Sequence, residues 1–327
     1  MALTLWVPSA AAETQEEPFD DAPLSDIVEY PEWFKKSFLD LPADLAEAVD
    51  AGKKGIAVYF GQKRCPYCKR LLEVNFGEPD IAHYTRTNFD VIPVDIWSVE
   101  ELTALDGETL TERNFAARED ATFTPTLMFY DAEGRLALRL RGYYPPFYFR
   151  AALEYVVGDH YKREPFNVYL ARGDETLTFE PEDLVEEAFF SPPPYQLDRS
   201  VIPGDRPLAV FFEQGQCHAC TILHGHTLTD PAIRRFFEQL DVVQLDLRKE
   251  TPVITPQGRR TTAAAWAREL GLFYAPSILF FDESGKEIIR VDSVAHFFRL
   301  RNVLNYVANR GYLYEPEYQR WRSRYAF

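Results

Sequence analysis

The sequence predicts an α/β protein built from two tandem copies of one domain, each with a central mixed sheet flanked by helices. The chain matches itself when it is shifted by about 151 residues, and each copy carries one Cys-x-x-Cys pair. The matches include "DVIPVDI" (90–96) with "DVVQLDL" (241–247) and "PTLMFYDAEGR" (125–135) with "PSILFFDESGK" (276–286). Self-similarity of this kind indicates one structural unit repeated in tandem.

The composition agrees with this division. A chain of 327 residues has room for about two domains with their own cores. No segment approaches the roughly 20 apolar residues needed to span a bilayer, so we expect a soluble protein. A net charge of −16 argues against nucleic acid as a partner, because phosphate binding depends on Lys and Arg.

The first elements of each copy follow one order. "GIAVYF" (55–60) and "PLAVFF" (207–212) are continuous apolar runs, typical of strands buried on both faces. A cysteine pair and a helical stretch follow, and then the strands at 90–96 and 241–247. The next segments predict helices that are rich in alanine and opened by threonine, and they are "LTERNFAARE" (110–119) and "TTAAAWAREL" (261–270).

Each copy ends alike. After an X-Pro step comes an apolar strand, a turn at Asp131–Gly134 or Asp282–Gly285, and a further strand. Closing helices are predicted at 145–157 and 294–308.

Between the copies, residues 163–207 are acidic and rich in proline, which predicts a semi-rigid connector with a short helix at Pro181–Phe189. The aromatic and arginine-rich tail is expected to form a helix docked on the second domain. The predicted divisions are a leader (1–25), a first domain (26–163), a connector (164–200), a second domain (201–313) and a tail (314–327).

The leader suggests export. Its short apolar stretch is followed by small residues that end near Ala12, as in the last part of a secretory signal. Four cysteines in two close pairs indicate redox or metal chemistry rather than a disulfide scaffold.

The order strand, Cys-x-x-Cys helix, strand, helix, X-Pro, hairpin, helix resembles the thioredoxin superfamily, and it occurs twice. The whole chain resembles exported tandem-thioredoxin-fold proteins of bacteria. The resemblance implies two thioredoxin folds and a periplasmic thiol–disulfide oxidoreductase that acts on protein thiols and disulfides. It also implies a membrane thiol reductase as an upstream partner and no cofactor beyond the redox-active disulfides.

The predicted chemistry centres on the cysteines. A thiolate attacks a disulfide, and a helix N-terminus favours the anion, so Cys65 and Cys217 are the predicted nucleophiles. Cys68 and Cys220, one turn further on, are predicted to resolve the mixed disulfide. Electron relay between the two pairs is a further expectation.

Several neighbours are expected to tune these pairs. Cations around the first pair predict that Cys65 is the more acidic of the two nucleophiles. The dipeptides between the cysteines differ between the copies and are expected to tune the reduction potential. The predicted tuning residues are Lys63, Arg64, Pro66, Tyr67, His218, Ala219 and His224, and Lys69 and Arg70 add further charge.

Pro125 and Pro276 match the superfamily's cis-proline, whose loop presents backbone groups to the substrate. The resemblance therefore implies substrate-binding roles for both prolines and for the preceding Thr124 and Ala275. These two preceding residues differ, which indicates different partners for the two sites.

One departure concerns the proton acceptor. Thioredoxins carry a buried acid six residues before the first cysteine, where this chain has Tyr59 and Phe211. This difference indicates either a slower reductase cycle than that of thioredoxins or a different residue that accepts the proton.

The second site supports an alternative hypothesis. His224 and His226 follow Cys217 and Cys220 closely, and sulfur with imidazole suits zinc or copper. In this alternative the protein binds and delivers a metal, and the first domain keeps those thiols reduced. The first copy lacks these histidines, and a histidine that stabilises the Cys217 thiolate explains His224 equally well.

Overall fold

The structure is a computed structural model that describes residues 18–174 and 184–325. Most of the predicted leader and the first residues of the predicted connector helix lie outside these ranges.

The first repeat contains both helices and strands. In chain order they are α1 (Leu41–Asp50), β1 (Gly55–Gly61), α2 (Pro66–Arg70), α3 (Pro79–Asn88), β2 (Phe89–Asp95), β3 (Glu101–Thr103), β4 (Thr109–Thr111), α4 (Glu112–Arg118), β5 (Thr126–Asp131), β6 (Leu136–Arg141) and α5 (Pro146–Val157). The strands β2, β1, β5 and β6 form a four-stranded sheet in that order. β1 pairs parallel with β2 and antiparallel with β5, and all seven of its residues are buried, as the apolar run predicts.

The second repeat has the same plan. After α6 (Phe166–Asp174) and β7 (Tyr195–Gln196) come β8 (Leu208–Glu213), α7 (His218–Ile222), α8 (Pro231–Phe237), β9 (Asp241–Asp246), β10 (Pro252–Ile254), β11 (Arg260–Thr262), α9 (Ala263–Glu269), β12 (Ser277–Phe281), β13 (Glu287–Val291), α10 (Phe297–Ala308) and α11 (Tyr318–Tyr325). The sheet order β13-β12-β8-β9 repeats that of the first domain. The predicted fold class, two tandem α/β repeats with mixed sheets, is therefore confirmed.

Local signals explain the element boundaries. The hydroxyl oxygens of Thr111 and Thr262 accept hydrogen bonds from the backbone at the starts of α4 and α9, as N-caps do. The helices α2 and α7 both continue into a π-helical turn, at Leu71–Asn75 and Leu223–Thr227. The duplication therefore extends to an uncommon local feature.

The predicted connector helix at Pro181–Phe189 is wrong in its described part. Residues 184–190 contain no helix. The carbonyl oxygen of Val185 accepts a hydrogen bond from Nε2 of Gln244, and the ring of Phe189 stacks on Phe237. Contacts with the second domain therefore replace helical hydrogen bonds in this segment.

The two repeats pack against each other through corresponding segments. The backbone amide of Val294 donates to the carbonyl oxygen of Tyr143 at 3.2 Å, and these residues are about 151 positions apart. The Tyr144 hydroxyl donates to the Asp292 carbonyl oxygen at 3.1 Å. The interface therefore approximates the self-complementary contact of a two-fold dimer.

The tail forms the expected helix, α11. Tyr318 and Trp321 are buried in the core of the second domain. Nε2 of Gln319 also donates to the carbonyl oxygen of Thr122, so α11 connects the two repeats. In the described residues, no helix is both long and apolar enough to cross a membrane.

Candidate active site

Each cysteine pair lies at the start of a helix. Sγ of Cys65 accepts a hydrogen bond from the backbone amide of Cys68 at 2.9 Å, and Cys217 accepts from the amide of Cys220 at 3.1 Å. Both pairs are disulfides with Cα atoms 5.1 Å apart. When the pairs are reduced, the same amides and the partial positive charge of the helix end can stabilise a thiolate.

A proline loop faces each pair. The Thr124–Pro125 and Ala275–Pro276 peptide bonds are cis, a state that the sequence left open. Sγ of Cys65 lies 3.6 Å from the Thr124 carbonyl oxygen, and Sγ of Cys217 lies 3.5 Å from that of Ala275. Of the four residues predicted to bind substrate, Thr124 and Ala275 therefore contact the cysteines, and Pro125 and Pro276 follow them directly in the chain.

The first site has a hydroxyl that the second lacks. Oγ1 of Thr124 lies 3.3 Å from Sγ of Cys65. The same oxygen accepts a hydrogen bond from Nε2 of Gln62, whose Oε1 accepts from the Trp97 indole. Because a disulfide sulfur carries no hydrogen, Thr124 is the donor to Cys65. Gln62 and Trp97 were not predicted, since nothing in their spacing links them to the cysteines.

The two cysteines predicted to be nucleophiles differ in exposure. Cys65 is 1% exposed, whereas Cys217 is partly exposed and lies between the exposed residues Gln216 and His218. Residues at the starts of α10 and α11, among them Arg299 and Tyr318, form part of the cover over Cys65.

Tyr67, one of the predicted tuning residues, is a central contact of that cover. Its hydroxyl donates to Asp21 at 2.7 Å and accepts from the backbone amide of His296 at 2.9 Å. The guanidinium carbon of Arg299 lies 3.4 Å from the ring centroid, a cation–π contact. Burial raises the pKa of Tyr67 well above its usual value, and Asp21 raises it further, so the phenol stays protonated.

The cations of the first site do not converge on one sulfur. Lys63 and Lys69 are exposed, and Lys69 lies 3.8 Å from the carboxylate of Glu73. Arg70 packs over the ring of Phe19. Of these four cations, Arg64 alone lines a pocket together with Cys65.

His224, a predicted tuning residue of the second site, belongs to a buried charged cluster. Its Nε2 lies 3.1 Å from Glu213 and its Nδ1 lies 3.2 Å from Glu187. Burial lowers the pKa of His224, but the hydrogen bonds and charges of Glu213 and Glu187 outweigh burial, so the pKa lies above its ordinary value. Glu213 was not predicted as a site residue. It is 1% exposed, and its sequence signal is a carboxylate placed directly at the end of the apolar run of β8.

The contacts of His224 with Glu213 and Glu187 affect the hypothesis that the second site binds a metal. Both ring nitrogens of His224 face carboxylates, and His226 is exposed. Among residues 18–174 and 184–325, no three His, Cys, Asp or Glu side chains are placed to hold a metal ion. The proposed ligand set Cys217, Cys220, His224 and His226 is therefore not assembled in this structure.

The two positions where thioredoxins carry a buried acid are both in the core. Tyr59 is fully buried, and in the described part of the chain its hydroxyl has no hydrogen-bond partner. Burial raises the pKa of Tyr59 well above its usual value. Tyr59 therefore stays protonated, and the fully buried Phe211 has no titratable group.

The duplicated architecture agrees with comparison to known families. The Thioredoxin-like domain family matches residues 41–157 and 196–308, which is more than half of the chain. The chain belongs to this family. Each matched region contains one Cys-x-x-Cys disulfide, and this fold with these pairs supports a thiol–disulfide oxidoreductase in general terms.

Solved structures with similar folds each match about one repeat. A thioredoxin-fold protein from Helicobacter pylori is 16% identical, with a TM-score of 0.35, and the match covers 41% of this chain and 88% of that one. A thioredoxin from Thermus thermophilus is 25% identical over 36% and 84% of the two chains, with a TM-score of 0.28. The DsbD C-terminal domain of Neisseria meningitidis, in its reduced form, is 16% identical over 33% and 84%, with a TM-score of 0.25. No curated protein matches the chain.

Proposed function

We propose that the protein exchanges dithiols and disulfides with protein substrates, and that the Cys217–Cys220 pair is the site that meets them. Cys217 is the nucleophile and Cys220 resolves the mixed disulfide. Electrons move to or from the Cys65–Cys68 pair of the first repeat.

The observation that carries this proposal is the difference in exposure between two otherwise similar sites. Both first cysteines cap a helix and face a cis-proline, yet only Cys217 is partly exposed. A substrate disulfide must approach the attacking sulfur closely, so access decides which pair reacts with a protein.

Reduction of insulin by dithiothreitol tests the proposal. We expect Cys65→Ser/Cys68→Ser to retain most of the activity and Cys217→Ser/Cys220→Ser to lose at least about tenfold, because access to the attacking sulfur controls exchange. An inactive Cys65→Ser/Cys68→Ser variant that still folds would contradict the assignment of the second pair to protein substrates.

We further propose that the protein works in the periplasm and receives electrons from a membrane thiol reductase. The leader composition and the use of cysteines only in close pairs support this proposal. Fractionation of cells that express the full chain, with trapping of free thiols by an alkylating reagent, tests it. Recovery in the cytoplasmic fraction alone would overturn it.

A further inference from the structure

A pocket of about 250 Å³ lies over the first cysteine pair, between the two repeats. Cys65, Thr124 and Gln62 form its wall on the first repeat. The second repeat and the tail contribute Arg299 from α10 and Arg322 from α11. The pocket is therefore completed only when the repeats are docked.

The lining of this pocket is basic in an otherwise acidic protein. It contains the four arginines Arg64, Arg299, Arg301 and Arg322, while the whole chain has a net charge of −16. Asp21 is the one acid of the lining. Its carboxylate already accepts hydrogen bonds from the Tyr67 hydroxyl and from the backbone amides of Phe298 and Arg299.

Three of the four arginines could approach an anion without breaking an ion pair within the described residues. Among the described residues, no ion pair involves Arg64, Arg299 or Arg322. Nη2 of Arg322 donates to Oε1 of Gln62 at 3.2 Å, which directs it toward the site. Guanidinium groups bind carboxylates through paired N–H donors, so this lining suits a carboxylate-bearing ligand.

The docked second repeat also excludes a protein chain from this site. Nη2 of Arg299 donates to the Thr124 carbonyl oxygen at 2.9 Å, and Nη1 donates to the Val294 carbonyl oxygen at 3.1 Å. A peptide that paired with the backbone beside Pro125 would have to displace Arg299, which is 8% exposed. A volume of about 250 Å³ admits only a small molecule.

We propose that the Cys65–Cys68 pair exchanges electrons with a small anionic disulfide, R–S–S–R with carboxylate groups on R, bound among these arginines. This inference rests on the proposed redox function and names the substrate class of its first site. The Cys65 thiolate attacks one sulfur of R–S–S–R, which forms a Cys65–S–S–R bond and releases one thiolate. The Cys68 thiolate then attacks Sγ of Cys65 and releases the second. Two electrons pass from the dithiol to R–S–S–R, and the two cysteine protons accompany the two released thiols or enter solvent.

Three disulfides of similar size and different charge test the proposal. They are 3,3′-dithiodipropionate (dianionic), bis(2-hydroxyethyl) disulfide (neutral) and cystamine (dicationic). Reduced Cys217→Ser/Cys220→Ser protein is mixed with each disulfide, and the rate at which the protein is oxidised is measured. This rate is divided by the rate at which the same disulfide oxidises free dithiothreitol, which corrects for the intrinsic reactivity of the disulfide. We expect the normalised rate to be at least about tenfold higher for the dianion than for the dication, and the preference to shrink in 0.5 M salt.

Variants of the lining arginines test whether these side chains cause the preference for the dianionic disulfide. We expect Arg322→Gln and Arg64→Gln each to reduce the preference by about fivefold, as loss of one charge contact does, while Arg322→Lys retains most of it. The matched control is Arg86→Gln, an exposed arginine on α3 outside the pocket lining, which should leave the preference unchanged. Circular dichroism confirms that each variant folds.

Two results overturn the inference. One is a set of normalised rates that does not depend on ligand charge, and the other is a first pair that reduces insulin as fast as the second pair does. Insulin reduction by Cys65→Ser/Cys68→Ser is measured in parallel. Loss of that activity alone overturns the proposed protein substrates and leaves the charge preference of the first pair intact.

Discussion

The hydroxyl oxygen of Thr124 lies 3.3 Å from Sγ of Cys65, and the residue that corresponds to Thr124 in the second repeat is Ala275, which has no hydroxyl. Gln62 donates to the same oxygen at 2.8 Å and so directs the hydroxyl hydrogen toward the sulfur. The two sites therefore differ by one hydrogen bond to Sγ of the first cysteine.

We expect Thr124→Val to make reduced Cys65 harder to ionise, because a hydrogen bond to a thiolate favours the charged form. The pH midpoint of alkylation by iodoacetamide should rise by about one to two units, since a charge-assisted hydrogen bond contributes about 1.5–3 kcal/mol and one unit corresponds to about 1.4 kcal/mol. The measurement uses the Cys217→Ser/Cys220→Ser background. Thr124→Ser retains the hydroxyl and should keep the wild-type midpoint. Equal midpoints for Thr124→Val and wild type would exclude this role.

The buried position of His224 leads to a prediction about metal. Since Glu213 and Glu187 occupy both ring nitrogens, we expect protein purified without chelators to contain well under one zinc or copper per chain. Elemental analysis by mass spectrometry measures this. Stoichiometric metal that is lost in Cys217→Ser would instead support the metal-delivery hypothesis.

The same cluster predicts stability that depends on pH. The folded-state pKa of His224 is raised, so its charged form contributes stability that is fully present below the unfolded-state pKa of about 6.5 and is lost as pH rises through the folded-state pKa. We expect His224→Gln to reduce the free energy of unfolding by about 1–3 kcal/mol at pH 5.5 and by less at pH 9.

Urea unfolding at the two pH values measures the difference. His83→Gln, on an exposed face of α3, is the matched control and should have little effect at either pH. A larger loss at pH 9 than at pH 5.5 for His224→Gln would show that the imidazolium does not stabilise the fold.

The fold could be predicted because its signals are local. An apolar run such as 55–60 indicates a buried strand by itself, and Thr111 can be recognised as a helix start from its neighbours. The duplication then supports every assignment twice. Short elements without such signals, including the hairpin of β3 and β4, were missed.

The cover over the first site could not be predicted. Asp21, Tyr67 and Arg299 are far apart in the sequence and meet only after both repeats have folded and docked. Each alone is an ordinary polar residue with many potential partners. The proline-rich connector indicated two domains joined by a spacer, and nothing in its composition indicated how closely they pack.

The docked interface gives a last prediction, at Gly142. This glycine has φ of +91°, and a Cβ atom there would lie 2.0 Å from Oγ of Ser293 in the other repeat. We therefore expect Gly142→Ala to loosen the interface. Reduced Cys65 should then be alkylated several-fold faster, and its pair should gain insulin reductase activity, because the cover from Arg299 is lost.

A matched control separates the two effects of Gly142→Ala, which are the clash between the repeats and the backbone strain at a positive φ. Gly107 has φ of +85° and no atom within 4 Å of its added Cβ, so Gly107→Ala introduces only the strain of about 1–2 kcal/mol. It should leave Cys65 protected. The double variant Gly142→Ala/Ser293→Gly should protect Cys65 again, because it removes the Ser293 side chain that the new Cβ atom would meet. The loss of the Ser293 hydroxyl should cost little, since it has no hydrogen-bond partner in the described residues. If Gly142→Ala and Gly107→Ala expose Cys65 equally, the contact between the repeats does not control access to the first site.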